Sequence, residues 1–150
     1  MAWNNKGKAL NALGRTAEAN TAFAKAKELV YDDAIEAYDE AIRLDPNDAN
    51  AWSGKGWALN GLGKYEEAIK AFDKAIQIDP KLKVAWGNRG TALARLGKYN
   101  ESIKCFDEAI RLDAKDAMAW NNKGNALEAQ DKYDEANAAF VKAKELGYEL

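Results

Sequence analysis

Few residues in this chain of 150 could carry out chemistry. It contains no histidine, the commonest general base and metal ligand, and its single cysteine, Cys105, can form neither an internal disulfide nor a cysteine metal cluster. Cys105 stands where sister segments carry Ala71 and Ala139, so packing among small residues explains it better than a role as nucleophile. We therefore predict that the protein is not an enzyme and uses no metal or cofactor.

Two further motifs resemble ligand sites in composition alone. The Gly61-x-Gly63-Lys64 stretch lacks the strand and the spacing of a phosphate-binding loop. A run of five carboxylates would spread around the outer face of a helix, whereas calcium needs oxygens that converge from a loop. That run comprises Asp32, Asp33, Glu36, Asp39 and Glu40.

Charge and hydropathy exclude other classes of protein. The net charge of −2 gives no positive field for nucleic acid or an anionic membrane, so neither is expected as a partner. No apolar run approaches the roughly 18 residues of a membrane span, and residues 1–8 lead into no signal-peptide core. We expect a folded, cytoplasmic protein.

The elements that must position any site follow from an internal repeat. Trp52, Trp86 and Trp120 are spaced by 34 residues, and many other positions recur in the same register. In the first of these units, Trp52, Gly56 and Leu59 have helical spacing, and a second helical stripe follows around Phe72. The full units are 49–82, 83–116 and 117–150, each a helical hairpin that must stack on its neighbour to bury both of its faces.

These positions carry a family resemblance. Trp-x3-Gly-x2-Leu, then Tyr, Ala, Phe and Ala, closed by Asp-Pro, resembles the tetratricopeptide repeat signature over residues 52–80 and recurs along nearly the whole chain. The resemblance implies an all-α, right-handed solenoid of antiparallel helical hairpins that binds a protein or peptide on its concave face. Lys55, Arg89 and Lys123 stand where the family usually has Leu, so we expect their stems to pack while the charged ends reach water.

The first 48 residues depart from this regularity. Residues 1–29 match 118–146 at 20 of 29 positions, so 1–30 forms a hairpin of the kind that ends an array. Polar Asn20 and Lys27, like Asn137 and Lys144, replace the isoleucines that central units turn toward a following hairpin. Residues 31–48 match only the second helix of a unit, which leaves an orphan helix without its partner.

The join between these two parts predicts one long helix. No Gly or Pro occurs between Arg15 and Asp45, and apolar residues recur there in steps of three or four. We predict a continuous helix over about residues 15–45, roughly 46 Å long. The alternative is a break near Val30 with the first hairpin folded back.

A continuous helix would leave an apolar face uncovered. Val30, Ala34, Tyr38 and Ala41 would lack the partner helix that other units provide, so this face is a candidate for self-association. A homo-oligomer formed by exchange of the N-terminal hairpin between chains is one form of it. A self-assembling structural protein is therefore the alternative to a scaffold that binds other proteins.

The resemblance also implies which residues contact a bound segment. Asparagines two positions after the tryptophan can hold a peptide backbone in this family, and here that position has Asn5, Gly54, Asn88 and Asn122. The alternative is that these asparagines are simply solvated. The same surface is predicted to include Asn121, Asn125 and Arg95.

Trp57 is the one tryptophan of the array outside the repeat register. We predict that it anchors an apolar side chain in the groove, with lateral packing against Leu93 or a neighbouring helix as the alternative. Some families of this type hold a terminal carboxylate with Lys and Asn in one repeat and a basic residue later. Ser53, Trp57 and Asn122 occupy those positions here, so a receptor of that kind is not expected.

Overall fold

In a computed structural model that describes residues 2–149, all regular elements are helices. They are α1 (Ala2–Ala12), α2 (Thr16–Leu44), α3 (Ala49–Gly61), α4 (Tyr65–Ile78), α5 (Lys83–Arg95), α6 (Tyr99–Leu112), α7 (Ala117–Glu128) and α8 (Tyr133–Glu145). The predicted all-α solenoid of antiparallel hairpins is confirmed. We call α1, α3, α5 and α7 the first helices, and α4, α6, α8 and the two halves of α2 the second helices.

The helix ends are set locally by glycine and aspartate. Gly63, between α3 and α4, has φ of +76°, a left-handed conformation that stops α3 at little steric cost. The Asp48 carboxylate accepts hydrogen bonds from the backbone N–H groups of Asn50 and Ala51 at 2.9 and 3.1 Å, which caps the start of α3. Asp116 caps α7 in the same way. Sharp turns therefore return each helix along the previous one.

Each hairpin is held by a phenylalanine ring that lies against a glycine. Phe72 is fully buried, and a Cβ atom built on Gly56 would fall 2.6 Å from its ring. Only glycine allows the two helices to approach this closely. The same pairing recurs between Gly7 and Phe23, Gly90 and Phe106, and Gly124 and Phe140.

The long helix is also confirmed, because α2 runs without interruption from Thr16 to Leu44, 29 residues. The first half of α2 packs on α1 and the second half on α3. Among residues 2–149, no contact joins α1 to α3, although α3 touches α5 and α5 touches α7. A first helix is therefore missing from the row at the point where the sequence places the orphan second helix.

Unusual glycines accommodate the unpaired half of α2. Tyr38 stands in the Phe72 position but has no glycine in a partner helix of its own. Its ring lies instead against the backbone of Gly54 on α3, and the Tyr31 ring lies against Gly61. A Cβ atom at either glycine would collide with these rings, and sister units carry asparagine, arginine or alanine there. The unit that follows the orphan helix is thus shaped to receive it.

The close glycine contact predicts the effect of adding a methyl group. Gly56→Ala is expected to lower the free energy of unfolding by about 1–3 kcal/mol, because the Phe72 ring is fully enclosed and has no room to move. Gly87→Ala is the control, since a Cβ there has no atom within 4 Å. It should raise stability by about 0.5–1 kcal/mol through reduced backbone entropy. Urea unfolding measures both, and equal effects would contradict the packing argument.

The continuity of α2 predicts a distance in solution. Spin labels at exposed Ala17 and Ala37, in a Cys105→Ala background, should give one narrow distance of about 30 Å, corresponding to 1.5 Å of helical rise per residue. Val30→Pro should broaden and shift that distribution because it breaks the helix interior, while Val30→Ala should preserve it. Pulsed electron spin resonance makes the measurement. A broad distribution in the chain without a change at Val30 would show that the join is not helical.

Candidate functional site

The first helices present one common face, here called the inner face, on which Trp57, Thr91 and Asn125 occupy the same repeat position. Two clefts open along it. The C-terminal cleft, about 340 Å³, lies between α5 and α7 with α6 at its base. The N-terminal cleft, about 310 Å³, lies between α1 and α3 with α2 as its wall, beside the missing first helix.

The C-terminal cleft combines apolar walls with several polar side chains. Arg95, Asn122 and Asn125, all predicted from the sequence, line it together with Thr91. The Thr91 hydroxyl donates to the backbone carbonyl of Gly87 at 3.1 Å, which leaves its lone pairs for another donor. The cleft therefore offers amide, hydroxyl and guanidinium groups to a bound segment.

The N-terminal cleft is mainly apolar and contains Trp57. The Trp57 side chain is 47% exposed, and its ring meets Tyr31 edge to face, with centroids 5.3 Å apart and planes at 68°. This geometry is favourable for aromatic pairs and helps to fix the indole, about half of which remains exposed. Phe23 and Val30 supply further apolar wall, and Lys27 adds a positive charge.

Phe23, Lys27 and Tyr31 were not among the residues predicted for this face. They belong to α2, and the gap left by the missing first helix brings them to the inner face. The absence of a first helix before residue 31 is the sequence signal that could have identified them. Lys27 also lies over the Tyr31 ring, with Nζ 5.7 Å from its centroid.

The remaining asparagines lie in different surroundings. Asn5 is exposed on α1, and Asn88 is half-buried on α5, where its backbone carbonyl accepts a hydrogen bond from Asn60 Nδ2 at 3.2 Å. Asn121 is only 6% exposed and lines a small cleft against α8 with Phe140. Asn121 is therefore turned away from the inner face and is not part of the candidate site.

The face of α2 predicted to be uncovered is half open. Val30 is 62% exposed, and Ala34, Tyr38 and Ala41 are each partly buried. Their counterparts Ala68, Phe72 and Ala75 in the next unit are all fully buried. We call the side carrying Ala34, Tyr38 and Ala41 the open face of α2.

Lysine or arginine stands at the position where the family usually has leucine, and each of these cations forms an ion pair with the preceding unit. Lys55 Nζ lies 2.5 Å from an Asp39 carboxylate oxygen, and its side chain is only 25% exposed. The expected packing of the stem is therefore present, while the charged end pairs with the preceding second helix. Arg89 with Asp73 and Lys123 with Asp107 repeat this arrangement at 2.6 and 2.7 Å.

Cys105 lies in the core, 1% exposed. Burial raises the pKa of its thiol, and the Arg89 guanidinium, which contacts Sγ at 2.9 Å, offsets this only partly. A buried thiol with a raised pKa is a poor nucleophile.

Within residues 2–149, no group of three acidic, cysteine or histidine side chains is arranged to hold a metal ion. No helix in this range is long and apolar enough to cross a membrane.

Comparison of the sequence with protein families gives a consistent result. Tetratricopeptide repeat profiles match residues 31–82 and 88–147, and further profiles of that description match 71–104 and 2–29. Among curated protein sequences no significant match is found.

The chain is also similar in fold to several solved structures, among them a tetratricopeptide domain. The first tetratricopeptide domain of Spaghetti (RPAP3), bound to the HSP90 peptide SRMEEVD, is 30% identical with a TM-score of 0.66, over 69% of this chain and 82% of that one. MamA has a TM-score of 0.75 at 24% identity, over 93% and 82% of the two chains. MamA 41-end from Desulfovibrio magneticus RS-1 gives 0.72 at 22%, over 96% and 73%. With its family profiles and the repeated hairpins, this chain belongs to the tetratricopeptide repeat family.

Proposed function

We propose that the protein is an interaction module that binds an extended segment of another protein along its inner face. The observation that carries this proposal is the pair of clefts on one face, one mainly apolar around Trp57 and one that adds polar groups at Asn122 and Arg95. A groove with an aromatic anchor at one end and amide groups at the other suits a peptide with a large apolar side chain and an accessible backbone. Binding, and not catalysis, is the activity that these groups can support.

The aromatic anchor determines where the segment is fixed. Trp57 already packs against Tyr31, so little side-chain entropy is lost when a ligand covers the exposed part of the indole. The cations at the two clefts, Lys27 and Arg95, favour carboxylates in the ligand next to the apolar residue. We therefore expect ligands that combine an aromatic or aliphatic anchor with acidic neighbours.

A relative supports the general mode of binding but not the same ligand. The Spaghetti domain holds a short acidic HSP90 peptide. Here Ser53 and Trp57 replace the Lys and Asn that the resemblance associates with a terminal carboxylate. An internal segment anchored by an apolar side chain is the ligand that we propose, without need of a free carboxyl end.

The groove proposal predicts the effect of removing its anchor. Peptides selected from a random library on the immobilised chain should bind Trp57→Ala at least about tenfold more weakly, as expected for loss of a buried hot spot. Val141→Ala is the matched control, since Val141 is 59% exposed on α8, away from the inner face. Isothermal calorimetry measures the affinities, with Asn122→Ala, in the C-terminal cleft, as a second groove variant. Unchanged affinity in both groove variants would exclude this site.

A second candidate is self-association through the open face of α2, favoured by the half-burial of Ala34, Tyr38 and Ala41. Burying one tyrosine removes about 150–250 Å² from water, a few kcal/mol at about 25 cal/mol per Å². Two copies of this face would also bring together like charges, because residues 31–44 carry five carboxylates and one arginine, Arg43. Repulsion of this kind is weakened by salt.

Self-association through α2 therefore has a specific signature. The mass measured by light scattering should rise above 16.5 kDa at micromolar concentrations, and more so at higher ionic strength. Tyr38→Lys should return the chain to the monomer mass, while Val141→Lys, on the far side of the array, should not. A mass of one chain throughout the micromolar range and at high salt would exclude this candidate.

A further inference from the structure

The junction between consecutive units is built in the same way three times. A second helix contributes an aspartate, and the next first helix contributes a half-buried Lys or Arg that pairs with it. Isoleucines stand four residues before and three after each aspartate: Ile35 and Ile42 around Asp39, Ile69 and Ile76 around Asp73, and Ile103 and Ile110 around Asp107. We call this pattern, Ile-x3-Asp-x2-Ile, the junction motif.

The receiving side of the junction is equally regular. Ile35 packs with Trp52 against the core of the next hairpin, and Ile103 packs with Trp120 in the same way. The indole N–H of each tryptophan donates to a backbone carbonyl in the turn before its own helix. Trp52 bonds Pro46 at 3.0 Å, Trp86 bonds Pro80 at 2.9 Å, and Trp120 bonds Ala114 at 3.1 Å. A receiving helix thus offers a tryptophan, a cation three residues later and an apolar surface.

Helix α1 carries this receiving surface with nothing docked on it among residues 2–149. Trp3 and Lys6 match Trp120 and Lys123, and Trp3 is 36% exposed. Lys6 Nζ lies 4.9 Å from the Trp3 ring centroid, close to the 5.5 Å found between Lys123 and Trp120. The cation therefore lies over its tryptophan as Lys123 does, and within the described residues it forms no ion pair, although it is near enough to Glu18 to help lower the pKa of that carboxyl.

A second copy of this chain does not offer a helix that fits this surface of α1. The three helices that carry the junction motif are each covered by the first helix that follows them. At the other end of the array, α8 has Asn137, Val141 and Lys144 where the motif requires Ile, Asp and Ile. Two polar side chains and the loss of the acid leave α8 without charge complementarity to Lys6.

We propose that the outer face of α1, formed by Trp3 and Lys6, docks a helix of another polypeptide that carries the junction motif. The partner's aspartate pairs with Lys6, and its two isoleucines cover Trp3. This surface is separate from the inner face, so a helix bound here extends the stack at α1 without occupying the groove. The same complementarity of charge and apolar contact that joins the units of this chain selects the partner.

The proposal can be tested by introducing the junction motif into α8 through three substitutions. Asn137→Ile, Val141→Asp and Lys144→Ile together alter three exposed side chains. The variant should associate head to tail through α1 of the next copy, so its mass by light scattering rises well above that of the unmodified chain. Adding Lys6→Asp to this variant should weaken the association about tenfold, because two carboxylates then face each other. If position 141 is Lys instead of Asp in that background, the charge pair is reversed and the association should be restored.

A second probe avoids any change to α8. A helix-stabilised peptide of residues 99–112, which carries the motif of α6, should bind the unmodified chain and bind Lys6→Asp about tenfold more weakly. The Trp57→Ala variant should bind this peptide with unchanged affinity. Docking on α1 can therefore be tested whether or not the groove proposal holds.

Two results would overturn the proposal. One is an α8 variant that keeps the helical circular dichroism and the mass of the unmodified chain. The other is binding, by either probe, that is insensitive to Lys6→Asp.

Discussion

The close approach of two helices through glycine is the constraint on which the structure depends. A phenylalanine ring needs a bare backbone opposite it, and each complete hairpin provides one, as with Phe72 on Gly56. Because the ring fills the space between the helices, the hairpin has a fixed spacing and presents the same two outer faces every time. Stacking through identical junctions follows from that regularity, and so does the alignment of the first helices into one inner face.

The orphan half of α2 shows what happens when the constraint is met only in part. Tyr38 has no glycine in a helix of its own unit, and it turns to Gly54 in the next one. The whole edge of the tyrosine ring, hydroxyl included, lies against the Gly54 backbone, and the residue stays partly buried. The missing helix also leaves the N-terminal cleft between α1 and α3. Trp57 is exposed, and Tyr38 only partly buried, for the same reason.

Local patterns made most of the fold predictable. The 34-residue register gave the hairpins, and the absence of Gly and Pro between Arg15 and Asp45 gave the long helix. The candidate site was harder to predict from the sequence, because its side chains come from different units. Tyr31 reaches Trp57 only across the gap, and Asn121 turns inward because its position on α7 faces α8. Repeat spacing specifies the helix on which a residue lies, but contacts between helices decide which face it joins.

The two hairpins that share 20 of 29 residues point to one position at which a helix either continues or ends. Residues 1–29 and 118–146 share most of their sequence, yet one hairpin continues into a long helix and the other ends. The difference lies at the next residue, which is Gly147 in one copy and Val30 in the other. Gly147 has φ of +90°, which a β-branched side chain disfavours strongly, so the chain leaves the helix there. Val30 holds the helical conformation, and the helix extends into the orphan segment. Without a glycine at this position the helix joins an end-type hairpin to an interior one, and the open cleft beside Trp57 lies at that join.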